Sequence, residues 1–158
     1  LDGFCEMNVY LRVAESTDLD LLFRWVNEPL VRKNSFSMGT ISYEEHRKWY
    51  KKILGDANCR QYIYMDDACP VGQARIVYKE DVVEVNYSIC VQKRSKGYGK
   101  KLLELISRQA WIDFPQAKKL IGRVKSENIA SQKAFIDAGY QEDYHIYELL
   151  KESKGEQK

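Results

Sequence analysis

VVEVNYSICVQKRSKGYGKKLL, residues 82–103, is the stretch around which the rest of the chain is arranged. Its first half alternates and is rich in β-branched residues, the pattern of a strand. Arg94-Ser95-Lys96-Gly97-Tyr98-Gly99 is a basic turn with two glycines separated by one residue, and Lys100-Lys101-Leu102-Leu103-Glu104-Leu105-Ile106 opens an amphipathic helix. Strand, glycine turn and helix start together suit an anion. Backbone N–H groups point out of the turn and the first helical turn, the helix dipole favours negative charge there, and glycine lets a ligand approach the backbone.

Spacing separates the phosphate-binding designs. A Walker loop needs Gly-x4-Gly-Lys-Ser/Thr, which is absent. A dinucleotide fingerprint needs a third glycine three residues beyond Gly99, where Leu102 stands instead. That leaves Arg-x-x-Gly-x-Gly between a strand and a helix, which a plain strand-to-helix turn also fits.

The chain has 158 residues, enough for one domain with a real core. Lys+Arg 25 against Asp+Glu 23 leaves no basic field for nucleic acid, and the cations gather locally at Lys93, Arg94, Lys96, Lys100 and Lys101. Cysteines at 5, 59, 69 and 90 show no metal-ligand spacing, and with no secretory segment they read as reduced thiols in a cytoplasm. No apolar run approaches the roughly 20 residues that span a bilayer. Residues 1–8 read as a linker from a longer protein or an expression remnant, 9–150 as the domain, and 151–158 as a charged, disordered tail.

The first strand is Asn8–Ala14. Thr17 is the expected N-cap of a helix carrying Leu19, Leu22, Phe23 and Val26, ended by Asn27-Glu28-Pro29. Leu30–Ile41 reads as a loop. Ser42 and Glu45 form a capping-box pattern for a helix with the inward stripe His46, Trp49, Tyr50 and Ile53, stopped by a left-handed Gly55. Strands come next at Gln61–Met65 and Val71–Tyr78, then the strand of residues 82–91. The helix after the glycine turn halts at Pro115, Leu120–Val124 is a fifth strand, Asn128 starts another helix that Gly139 ends, and Tyr144–Leu150 is the expected closing strand.

Two features carry a family resemblance: Arg94-x-x-Gly97-x-Gly99, and Asn128-Ile129-Ala130-Ser131 with the later Phe135, Gly139 and Tyr140. They resemble the GNAT superfamily of acetyl-CoA-dependent N-acetyltransferases, and the element order extends the likeness over almost the whole chain. The resemblance implies an α/β fold with a mixed, mostly antiparallel central sheet, helices on both faces, and a splay between the fourth and fifth strands. It implies acetyl-CoA as the cofactor. Its thioester arm would lie along Ile89, Cys90 and Val91, with its pyrophosphate on the backbone amides of Arg94, Ser95, Lys96, Gly97, Tyr98, Gly99 and Lys100. Asn128 and Ser131 would bond it from the next helix, although Asn128 is equally an N-cap. Many members place a Tyr four residues before the final glycine as acid for the thiolate; here Phe135 stands there, and Tyr140, Tyr87 and Ser131 are the remaining hydroxyls.

An attacking amine must be neutral, so a base is expected. Strand parity puts Glu84, Asn86, Ser88 and Cys90 on one small, polar face, which makes Glu84 the candidate base or else a surface carboxylate paired to a cation. Cys90 reads as a small residue beside the thioester. Asn27, Phe36, His46 and Trp49 are the candidate acceptor contacts, the last two fitting a core as readily. The stretches FRWVNEPLVRKNSF and ISYEEHRKWY are similar to amino-sugar N-acetyltransferases of pseudaminic and related nonulosonic acid pathways, some of which are fused to another domain. The implied acceptor is therefore a small-molecule amine, a nucleotide-linked amino sugar, attacking directly in a ternary complex, with no nucleic-acid, membrane or metal partner and with a homo-oligomer as an option. A protein N-terminal acetyltransferase and a non-catalytic acyl-CoA-binding module are the alternatives.

Overall fold

The structure is a computed structural model that describes residues 7–151. Most of the expected linker and tail therefore lies outside the described residues, as does Cys5. Five strands form one sheet in the order β1-β2-β3-β4-β5: β1 Val9–Val13, β2 Cys59–Asp66, β3 Cys69–Lys79, β4 Val82–Ile89 and β5 Lys119–Gly122. The first four are antiparallel neighbours, and β4 and β5 run parallel. Tight turns set the register: Asp67 between β2 and β3, and Glu80 and Asp81 between β3 and β4, all carry positive φ.

On one face lie α1 Leu19–Val26 and α3 Tyr43–Leu54, packed on the sheet through Leu22, Tyr50, Ile63 and Met65. On the other face lie α4 Tyr98–Asp113 and α5 Ile129–Asp137. Leu102, Leu103, Ile106 and Ala110 of α4 are fully buried against Tyr64, Ile76, Val83 and Val85. Each such leucine contributes about 1.5–3 kcal/mol of burial.

Four local expectations are corrected. Thr17 is not the cap of α1; a short 3-10 turn, Ser16–Asp18, precedes it, and Asp18 caps back onto the Glu15 N–H at 2.8 Å while gripping Arg12. Asn27-Glu28-Pro29 ends α1 as expected, Glu28 being extended, but Pro29 also begins a second helix, α2 Pro29–Asn34, with Glu28 as N-cap accepting from the Leu30 and Val31 N–H groups. The expected loop over 30–41 therefore starts as a helix. Proline at a first helical position loses no bond, because that N–H has no helical acceptor anyway. Gly55 is right-handed, φ −93°, not a left-handed stop. Tyr144–Leu150 is not a strand: the segment makes no ladder among the described residues, and Ile146, Tyr147 and Leu149 are exposed. Among the described residues no helix is long and apolar enough to cross a membrane.

Candidate active site

Pairing between β4 and β5 covers only Val82–Val85 with Lys119–Gly122, whereas β4 continues to Ile89. Beyond Val85 and Gly122 the two strands part, as the family resemblance implied. The separated edge is Asn86–Ile89, beginning three residues earlier than the stretch expected to carry the arm. The Cys90 N–H donates to Val71 of β3 at 2.9 Å, and Val91 has already left the strand for a 3-10 turn, Val91–Lys93. A planar trans peptide points its C=O opposite to its N–H. The Ile89 carbonyl therefore faces away from β3, where it accepts from Arg94 Nε at 3.1 Å.

The glycine turn leads straight into α4. Gly97 is its N-cap with φ 86°, and Ser95 is also left-handed at φ 60°. A residue with a Cβ is strained at such angles, which explains glycine at 97. A left-handed residue feeding a helix turns successive N–H groups to one side, and the first N–H groups of α4 have no intrahelical acceptor. Gly97 offers no side-chain cap to them. Gly99 is not demanded by the fold: a Cβ there would meet Ala134 Cβ at 3.6 Å and the Tyr87 ring at 3.7 Å, ordinary contacts. What glycine does at 99 is leave open the space between α4, α5 and β4. Lys96 and Lys100 are exposed on this turn, and Lys100 Nζ stands 3.7 Å from Glu104.

The Arg94 side chain reaches to α2, where Nη2 pairs with Glu28 Oε2 at 2.6 Å. That contact holds the Glu28 carboxyl below its usual range, aided by the two N–H groups of α2 that it caps. The pair ties α2 to the glycine turn across a cavity of about 320 Å³ lined by Arg24, Trp25, Ser88, Ile89, Cys90 and Gln92 among others. Glu28 escapes the sequence reading because Asn-Glu-Pro also reads as a stop; the signal available is Glu directly before a first-turn proline.

The helix-α1/α3 side of β4 is polar, as parity implied. Gln61 donates to Gln73 Oε1 at 2.8 Å, and Gln73 in turn donates to Ser88 Oγ at 3.2 Å and Asn86 Oδ1 at 3.4 Å, a ladder across β2, β3 and β4. Beside it the Arg75 guanidinium lies 4.9 Å over the half-buried Trp49 ring. Glu84 is on this face, one pair behind the last β4–β5 pair, with Arg123 Nε 3.3 Å from its carboxylate.

The other candidate acceptor contacts fare differently. His46 is corrected: it is 3% exposed, packed among Phe23, Trp49 and Tyr50, and burial pushes its imidazole below the usual value. It belongs to the core. Asn27 clamps the backbone of Ile41 with both ends of its amide, at 2.8 and 2.9 Å. Phe36 is exposed, with Lys125 Nζ 6.0 Å over its ring.

On the α5 side, Asn128 is the N-cap, accepting from Ser131 N–H at 3.2 Å. Ser131 Oγ is 2.9 Å from Tyr87 Oη. Phe135 packs edge-on against both Tyr87 and Tyr140. The Tyr140 hydroxyl is buried with no partner among the described residues.

A separated strand pair, an uncapped helix start and a glycine that keeps the space between them clear are the features the resemblance implied for an acetyl-CoA site. The acetyltransferase (GNAT) domain family model matches residues 8–141, and the chain belongs to this family. It is an acetyl-CoA-dependent N-acyltransferase. Solved structures agree in fold. The aminoglycoside acetyltransferase AAC(6')-Ib with coenzyme A and kanamycin is 19% identical over 86% of each chain, with a TM-score of 0.76. The Vibrio cholerae spermidine N-acetyltransferase with CoA and spermine is 19% identical over 87% of this chain and 83% of its own, with a TM-score of 0.78. A domain from Methanocaldococcus jannaschii is 23% identical over 87% and 91%, with a TM-score of 0.75. No curated protein matches the sequence.

Proposed function

We propose that the chain acetylates the primary amine of an amino sugar carried on an anionic group, in the manner of a nucleotide-linked sugar. The observation that carries this reading is the charge of the acceptor side. The cavity beside β4 presents two guanidinium groups, Arg24 and Arg94, against one carboxylate, Glu28, which is already paired with Arg94. The same face of the sheet adds Arg75 of β3, which feels the charge of Glu84, itself paired with Arg123. A polycation such as spermine or kanamycin needs carboxylates without partners; a diphosphate needs guanidinium groups. Hydroxyls of a sugar find donors and acceptors in the Gln73, Asn86 and Ser88 ladder.

The residues that would hold acetyl-CoA are those of the gap and the turn. The N–H groups from Ser95 to Lys100 and the lysines at 96 and 100 suit its pyrophosphate. The edge of β4 left unpaired by β5 beyond Val85, together with Asn128 and Ser131, suits its amides. When bound, acetyl-CoA supplies an acyl group activated as a thioester. The closed end of the gap, at Val85 and Gly122, brings Glu84 close on the opposite face of β4. An amine with a pKa of about 8 is mostly protonated at neutral pH, so a proton must be lost before attack. Glu84, oriented by Arg123, accepts it through water.

The test is a steady-state comparison of acetyl acceptors by thiol release. A UDP-linked amino sugar is expected to show kcat/KM at least about tenfold above the same free sugar, roughly 1.4 kcal/mol of added recognition. Preference for spermidine, kanamycin or a peptide α-amine over the nucleotide sugar sinks the reading.

A further inference from the structure

Tyr98 stands between two glycines at the point where the turn becomes α4. Glycine on both sides makes this the loosest part of the backbone, yet the Tyr98 side chain is only 7% exposed. Its ring is edge-on to the fully buried Tyr64, centroids 6.2 Å apart, and Lys93 Nζ lies 5.8 Å over it. The Tyr98 hydroxyl donates to Asp66 Oδ2 at 2.5 Å.

Asp66 is a fixed post. It is the last residue of β2, paired to Val9 of β1 on one side and to Cys69 of β3 on the other. Its second oxygen accepts the Asn8 N–H at 3.2 Å. Alternation along β2 puts Tyr62, Tyr64 and Asp66 on the face of the sheet that carries α4, so a side chain from the start of α4 reaches it. A glycine-bounded turn is thus pinned to an inner strand 32 residues away. Gly97 is left-handed at φ 86°, and rotation there or at Gly99 swings the N–H groups that open α4. With Tyr98 held at its far end, those groups keep one direction.

Resting on the placement of the acetyl-CoA pyrophosphate at residues 95–100, we propose that the Tyr98–Asp66 hydrogen bond aims the backbone cradle for that diphosphate. Tyr98 and Asp66 are positioning residues here: the hydroxyl and the carboxylate act through the peptide groups of the turn. A cradle aimed for only a fraction of the time binds its ligand more weakly by that fraction. Tyr98→Phe keeps the ring in its packing and removes only the bond.

Calorimetry with CoA needs no acceptor amine, so its outcome is independent of which amine is used. Tyr98→Phe and Asp66→Ala are each expected to weaken CoA about threefold to tenfold, the scale of one lost hydrogen bond. The nucleotide half of CoA, phosphoadenosine diphosphate, should lose affinity by the same factor. Pantetheine, which carries the arm without phosphate, should bind both variants as it binds wild type, followed by amide NMR shifts at residues 86–89. The double variant should be no worse than either single one, because both remove the same bond. A general loosening of the fold would weaken pantetheine as well. Tyr98→Phe with wild-type affinity for CoA, equal losses for CoA and pantetheine, or additive losses in the double variant each overturn the proposal. Lys96→Glu separates it from the placement it rests on, since a carboxylate on the turn repels a diphosphate whether or not Tyr98 aims it. If Lys96→Glu weakens CoA and Tyr98→Phe does not, the aiming role alone falls; if neither does, the pyrophosphate is not on this turn and both fall.

Discussion

Glu84 and Arg123 face each other across the seam where β4 and β5 begin to part. As the proposed base, Glu84 takes no part in cofactor binding, so Glu84→Gln is expected to lower kcat about 10²-fold while acetyl-CoA affinity by calorimetry stays as in wild type. An unchanged kcat and pH–rate profile would remove it from the mechanism. Glu84 can be picked from sequence because strand parity is a local property, set by alternation along the chain. The same holds for Gly97, whose left-handed φ only glycine adopts freely, and for Asn128 as a cap. Arg94 cannot be placed that way. Its partner Glu28 is 66 residues distant, and nothing in Arg-Ser-Lys-Gly says which side of the turn a guanidinium will take. His46 shows the complementary case: helical spacing puts it on the inward stripe, and packing chooses core over cleft.

Helix α5 sits on β5 through one close approach, Phe135 over Gly122, and the gap's closed end depends on it. Gly122→Ala is expected to destabilise the fold by about 1–3 kcal/mol, as overpacking does, measured by urea unfolding. Shortening the ring with Phe135→Leu in the same chain should recover much of that loss. Equal stability of Gly122→Ala and wild type would mean that α5 does not bear on β5 in this way. Helix α2 is hidden in the sequence because Pro punctuates both ends of helices, and only the contacts made by the residues after it decide between them. Here the Glu28 cap and Arg32, whose Nε donates to Val26 and Nη1 to Ser37, gather the segment into a helix and a tied loop. Tyr144–Leu150 reads as a strand from alternation alone. Alternation prepares a segment to pair but supplies no neighbour, and among the described residues this segment has none.

Across the sheet the parting of β4 and β5 leaves backbone groups that water alone must satisfy, and such groups open readily. Acetyl-CoA bound there should slow amide hydrogen exchange at residues 86–89 and in the first turns of α4 and α5, while β1 and β2 stay unchanged. Protection confined to another face would place the cofactor elsewhere. The strand and helix periods, the two punctuating glycines and the Asn128 cap were legible in the chain, because each is enforced within a few residues by backbone sterics or by alternation of apolar side chains. The Glu28–Arg94 tie, the Tyr87–Ser131 contact and the close approach of Phe135 to Gly122 were not. Those arise where segments 13, 44 and 66 residues apart meet, and the direction a side chain takes on arrival is set by the packing around it.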